Sequence, residues 1–114
     1  MNRSIKSEPL NRRPFGTPLF RLGKILATPG ALETLDRLRV DPLSLVLGRH
    51  AIGDWGDLCD EDRELNNHSL ANGMRIFSSY KLVSKTGSEA TTEIIWVITE
   101  ADRASTCVLR PSEY

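Results

Sequence analysis

Two histidines, two tryptophans and one dense run of acids carry most of the chemistry available to this chain of 114 residues. The one set with a catalytic reading is His50, Arg75, Arg103 and Thr106. If the C-terminal strands form an antiparallel meander, Arg75 and Arg103 fall at the same end of it, opposite the turn at Gly87. The segment bearing His50 comes just before. Together these side chains could hold a phosphodiester, with His50 as general acid or base near neutral pH and the arginines and Thr106 as donors to the charge of a phosphorane. The plainer reading is a surface histidine, with the arginines paired to Glu100 and Asp102.

The stretch "GDWGDLCDEDRE" offers a different chemistry. Residues 54–64 hold six acids, Asp54, Asp57, Asp60, Glu61, Asp62 and Glu64, against Arg63 alone. Asp57, Asp60, Glu61 and Glu64 fall at i, i+3, i+4 and i+7, one face of a helix if it starts near Asp57. A helix macrodipole favours acids in its first turn by ~0.3–1 kcal/mol each, which accounts for the first of them but leaves Glu64 over. An acidic patch of this kind could engage a basic partner surface. Trp55, between two Gly-Asp pairs, is either a core plug donating its indole N–H to Asp54 or Asp57, or an exposed anchor with the acids as its rim.

Other chemistries are set aside by spacing. The sequence contains no GxGxxG, no phosphate-binding P-loop and no HExxH. Its acids do not alternate as a calcium loop requires. Two histidines and two isolated cysteines, Cys59 and Cys107, do not make a zinc site or a disulfide framework. Neither cofactor nor metal is expected.

The elements that must position these residues are legible in outline. Residues 1–18 hold three prolines and the basic Arg3, Lys6, Arg12 and Arg13 against Glu8, and read as a flexible tail able to touch nucleic acid. Residues 19–114 read as one domain. "LFRLGKILA" suggests a strand with Phe20, Leu22 and Leu26 on one face. "TPGALETLDRLRV" is a helix with Thr28 as N-cap, Pro29 at its first position and Leu32, Leu35 and Leu38 facing inward. "DPLSLVLG" is a short buried helix, and the glycines at 48, 53 and 56 make the region of His50 and Trp55 a loop. "DEDRELNNHSLAN" is a polar helix with Leu58, Leu65 and Leu70 as its apolar contacts and Gly73 just past its end.

From Met74 the period changes to two. "MRIFSSYKLV" sets Ile76, Ser78, Tyr80 and Leu82 on one face, "TEIIWVIT" is apolar on both, and "STCVLR" ends at Pro111. The expected class is α+β, in the order β-α-α-α-β-β-β, an N-terminal strand and two or three helices before a three-stranded antiparallel meander. Lysine plus arginine equals aspartate plus glutamate, 15 each, so no global field points to nucleic acid or a membrane. With no bilayer-length apolar run and no apolar core behind the basic N-terminus, the expected location is cytoplasmic. An exposed meander edge would make a dimer possible.

The stretches "ATPGAL", "RHAIGDWGDL", "NGMRIFSSY", "IIWVITEADRAST" and "LRPSEY" together resemble a family of short bacterial proteins that are frequent on plasmids and other mobile elements. The likeness spans most of residues 20–114. It implies accessory or anti-defence work for a mobile element and assigns no role to any residue. The element order is also similar to that of small RNA-cleaving toxins of the RelE and barnase-like type. The leading expectation is a non-enzymatic interaction protein that binds a basic partner, or a nucleic-acid-handling complex, through Asp54, Trp55, Asp57, Asp60, Glu61 and Glu64. The alternatives are a metal-independent ribonuclease using His50, Arg75, Arg103 and Thr106, and a nucleic-acid binder using the tail.

Overall fold

The computed structural model describes residues 17–114 apart from positions 40, 42 and 87, so Arg3, Lys6, Arg12, Arg13 and the Gly87 turn lie outside the described residues. The elements run β1 (Lys24–Ala27), α1 (Pro29–Arg37), a π-helical segment (Leu43–Leu47) leading into α2 (Gly48–Ala51), α3 (Asp60–Asn72), β2 (Ile76–Thr86), β3 (Glu89–Thr99), β4 (Ser105–Leu109) and a 3-10 turn (Pro111–Glu113). The four strands form one mixed sheet in the order β1-β4-β3-β2. β2, β3 and β4 are the antiparallel meander, and β1 joins β4 as a parallel edge strand. The class is α+β, with a four-stranded sheet around the expected three-stranded meander.

Local chemistry sets the boundaries. Thr28 caps α1 by accepting from the Ala31 N–H at 3.2 Å, and Pro29 follows it. The inward residues of α1 are Ala31, Thr34 and Leu35, while Leu32 is 52% exposed, so the helix is rotated from the leucine repeat. β1 is shorter than expected because Gly23, at φ +68°, turns the chain where its Cα meets the Ala104 backbone. An added Cβ would lie 2.5 Å from that backbone.

Val46 and Leu47 are buried as expected, but the helical winding continues through Gly48 and places His50 on α2 instead of in a loop. α3 ends at Gly73 in the left-handed conformation. It buries Asn66 and Ser69, half-buries Leu70 and leaves Leu65 58% exposed, so of the expected apolar contacts Leu65 is not one.

One face of the sheet carries Tyr80, Leu82, Ile95, Val97 and Val108, which pack with Ala31, Leu35, Val46 and Leu47 into a single apolar cluster. Burying each of the larger side chains contributes about 1.5–3 kcal/mol. The helices cover this face only. On the other, Phe77, Ile98, Cys107 and Leu26 form one cross-strand row and Ser79, Trp96 and Leu109 the next. Among the described residues the C-terminal turn is what reaches over this second face. Glu113 holds the turn in place by accepting from Thr28 Oγ1 at 2.6 Å, Arg110 N at 3.0 Å and Gly30 N at 3.1 Å. Tyr114 then lies against Trp96, ring centroids 5.8 Å apart. β3 is therefore not sandwiched between two helical layers, and Ile94 is 40% exposed.

Candidate functional site

His50 sits in the last turn of α2, fully buried. The Nδ1 atom lies 2.6 Å from Ser78 Oγ and Nε2 lies 2.9 Å from Thr99 Oγ1. Thr99 Oγ1 is 2.7 Å from Thr106 Oγ1, which itself donates to the Leu22 carbonyl at 2.7 Å. Donor counting assigns the protons. A carbonyl only accepts, so the Thr106 hydrogen goes to Leu22. Thr99 must then donate to Thr106 and accept from His50 Nε2–H, which leaves Nδ1 to accept from the Ser78 hydroxyl. The relay runs from Ser78 on β2 through α2 to Thr99 on β3 and Thr106 on β4, and fixes the neutral Nε2–H tautomer.

The surroundings oppose a charge on the imidazole. Phe20 and Trp55 approach the ring edge-to-face, with centroids 5.3 and 6.0 Å away. Burial, reinforced by the positive charge of Arg103, pushes the His50 pKa down to about 3.

The expected phosphodiester set is thus partly assembled and turned to a different use. His50 and Thr106 do meet, through Thr99, at the end of the sheet to which Arg103 belongs. They meet inside the core, however, with both imidazole nitrogens engaged, so His50 cannot reach a substrate proton. Arg103, at φ +59°, donates to the carbonyls of Met74 (2.7 Å), Glu100 (3.1 Å), Ala101 (3.2 Å) and Ser69 (3.3 Å), tying the end of α3 to the β3–β4 turn. Arg75 lies at the same end of the sheet as Arg103, as expected, but there it donates to Tyr114 Oη at 2.9 Å and pairs with Glu100 at 3.5 Å. A shallow hollow of about 360 Å³ at the β3–β4 turn is lined by Glu100, Ala101, Asp102, Ala104 and Ser105, and by none of the four.

The acidic stretch divides into residues that build structure and residues that do not. Trp55 is 4% exposed and stacks on Phe20 at 6.3 Å; it is a core plug and not an exposed anchor. The indole N–H donates to Asn67 Oδ1 at 3.3 Å, not to either neighbouring aspartate. Asp54 takes two hydrogen bonds from Arg49, at 2.7 and 3.3 Å, and one from Gly56 N at 3.2 Å. The Arg49 guanidinium holds the Asp54 carboxyl below its usual range and also lies over the Tyr80 ring, 4.5 Å from its centroid.

Asp57 precedes α3 instead of starting it. Its N–H donates to Ser79 O at 2.6 Å and its Oδ2 accepts from Lys81 N at 3.1 Å. With Ser79 N donating to Trp55 O at 3.1 Å, the chain lies along the outer edge of β2 as a surrogate strand. Gly56, at φ +78°, permits the approach, since a Cβ there would collide with Ser79 O. Asn66 completes the edge, accepting from Phe77 N at 3.1 Å and donating to Phe77 O at 2.5 Å. No periodicity argument singles out Asn66. Ser78 and Thr99 could have been found, because they occupy inward positions between apolar neighbours.

What remains free of this scaffolding is the outward face of α3. Asp60, Glu61, Asp62 and Glu64 are all exposed. Arg63 is turned away from them, donating to Gly56 O at 2.7 Å and Leu58 O at 3.0 Å. Leu65, in line with Glu61 one turn on, stands exposed among the acids.

Comparison with protein-family models, with curated proteins and with solved structures returned no match. Likeness to other proteins therefore assigns the site no role, and its chemistry rests on the geometry alone. Among the described residues no cluster of three or more His, Cys, Asp or Glu side chains is arranged to hold a metal ion. Nor is any described helix long and apolar enough to cross a membrane. Cys59 and Cys107 are free thiols.

Proposed function

We propose that this chain is a non-enzymatic interaction protein that docks a basic partner surface on the outward face of α3. Asp60, Glu61 and Glu64 supply the charge, and Leu65 supplies the apolar contact first sought in Trp55. The observation that carries this reading is Arg63. It is the single base in residues 54–64, and its guanidinium is committed to the carbonyls of Gly56 and Leu58. Arg63 keeps its charge but points it at those carbonyls, so four exposed acids face one arginine and the face stays net negative, able to steer a cationic partner into contact.

A partner within a nucleic-acid-handling or defence complex suits the resemblance to mobile-element proteins, which supports an accessory or anti-defence role. Ribonuclease action through His50 has no comparable support, because the imidazole is buried with both nitrogens in hydrogen bonds.

The test is affinity capture with the full chain against the triple substitution Asp60→Lys, Glu61→Lys and Glu64→Lys. Capture of the partner should be lost at ordinary salt while the chain still folds, at a cost of about 1–2 kcal/mol because Asp60 and Glu61 sit at the positive end of the α3 dipole. Capture that survives the reversal refutes the reading.

A further inference from the structure

The face of the sheet turned away from the helices combines aromatic rings with bases. Phe77 and Trp96 stand on adjacent strands edge-to-face, with ring centroids 5.0 Å apart, and Tyr114 also meets Trp96 edge-to-face at 5.8 Å while its hydroxyl accepts from Arg75. Phe77 and Trp96 are half-buried and Tyr114 is 71% exposed. Around the rings the register places Lys24 at the β1 corner, beside Ser105, and Lys81 on β2, beside Ile94. Arg75 precedes β2, and Arg110 follows β4.

Two nearby acids are paired, Glu100 at this end of the sheet and Glu93 on the helical face. Glu100 pairs with Arg75 at 3.5 Å, and Glu93 pairs with Arg110 at 3.6 Å and with Arg37 at 3.1 Å. The acids of α3, by contrast, lie on the helical side. Two exposed lysines, Lys24 and Lys81, thus stand on the same sheet face as the aromatic rings.

We infer that this open face binds single-stranded nucleic acid. Unstacked bases present flat faces that pack on aromatic side chains of a sheet, and their phosphates require cations at its rim. Trp96 meets Phe77 and Tyr114 at interplanar angles of 89° and 72°, so the cluster presents ring faces in two orientations and offers room for one or two bases. Lys24 and Lys81 stand on opposite sides of that cluster, where a backbone running across the strands passes. Duplexes are excluded, since their base faces are covered. The proposal is independent of the acidic face of α3.

The test uses the full chain with fluorescently labelled ten-nucleotide single-stranded RNA, single-stranded DNA of the same sequence, and the corresponding duplex. Anisotropy should show saturable binding of the single strands and at least tenfold weaker binding of the duplex. The RNA and DNA arms distinguish a sugar preference from stacking common to both. Trp96→Leu should weaken binding about tenfold or more, the size of effect expected for a lost stacking platform.

Because Trp96 also packs on the sheet, the exposed pair Lys24→Gln and Lys81→Gln serves as a second probe. It should reduce affinity and lower the magnitude of the salt slope by about 0.7 for each lysine removed. Neutralising Asp60, Glu61 and Glu64, which would end capture of a basic partner, should not weaken oligonucleotide binding. The inference is overturned if no single strand binds. It is also overturned if binding is indifferent to both the Trp96 and the lysine substitutions, or if the face proves to pair copies of the chain while ignoring oligonucleotides.

Discussion

The buried relay around His50 makes protein stability depend on pH in a window set by one residue. In the unfolded chain His50 titrates near its ordinary value of 6.5, and in the folded protein its pKa is about 3. Between those limits the unfolded state binds a proton that the native state does not, so stability is fully present above pH 6.5 and falls as the pH drops toward 3. The gap of roughly 3.5 units corresponds to a total of about 5 kcal/mol at 1.36 kcal/mol per unit. From pH 7.5 to 4.5 the integrated loss is about 2.7 kcal/mol, a large share of the ~5–15 kcal/mol by which domains are usually stable.

Urea unfolding followed by tryptophan fluorescence at one-unit pH intervals would measure it, with the m-value checked for constancy. His50→Gln keeps one donor and one acceptor for Thr99 and Ser78 but cannot take up a proton. Its curve should be lower at pH 7.5 and nearly flat down to pH 4.5. Parallel curves for the two proteins would refute the reasoning, because the slope would then belong to other groups.

Replacing Asn66 with Ala orphans both the N–H and the C=O of Phe77, and should cost about 2–4 kcal/mol in the same urea assay, since each unsatisfied buried group costs about 1–3 kcal/mol. Trp55→Ala removes the plug between Phe20, His50 and Asn67; a loss of about 3–5 kcal/mol in calorimetric or urea stability is expected. Gly56→Ala should prevent the chain from lying along β2 and destabilise more than the ~1 kcal/mol typical of a surface glycine change, read as a drop in thermal midpoint. Charge reversal at Asp60, Glu61 and Glu64 should lower that midpoint by roughly 5–10 °C, because two of the acids cap the positive end of the α3 dipole, and leave a single cooperative transition.

The punctuation of the chain was legible before its interior was. Thr28 with Pro29 and Asn72 with Gly73 mark helix ends through local hydrogen bonding and backbone conformation, and those boundaries hold. The alternation through Ile76, Ser78, Tyr80 and Leu82 likewise identifies the inward face of β2.

The misreadings share a cause, which is that a distant partner overrides a local preference. Glycines around His50 suggest a loop, yet the helix winds through Gly48 because Ser78 and Thr99 wait in the core for the imidazole. Leu65 is one of the few large apolar residues of α3, yet Asn66 turns inward because Phe77 presents two backbone groups that an asparagine amide satisfies and a leucine cannot. The aspartates beside Trp55 suggest its acceptor, yet one is taken by Arg49 and the other by the edge of β2. The outward acids of α3 are exposed, as a polar helix face suggests, since nothing in the described fold draws them inward.

The surrogate strand formed by Trp55, Gly56 and Asp57, continued by Asn66, links conformational opening to colloidal behaviour. These groups occupy the outer backbone positions of Phe77, Ser79 and Lys81, the positions another chain would use to add a strand. A fluctuation that lifts the start of α3 would bare a ready template while the rest of the sheet stays folded. Aggregation should then follow the frequency of that local excursion instead of the much rarer global unfolding. It would be suppressed by whatever holds the acidic helix down, including a partner bound to its outward face.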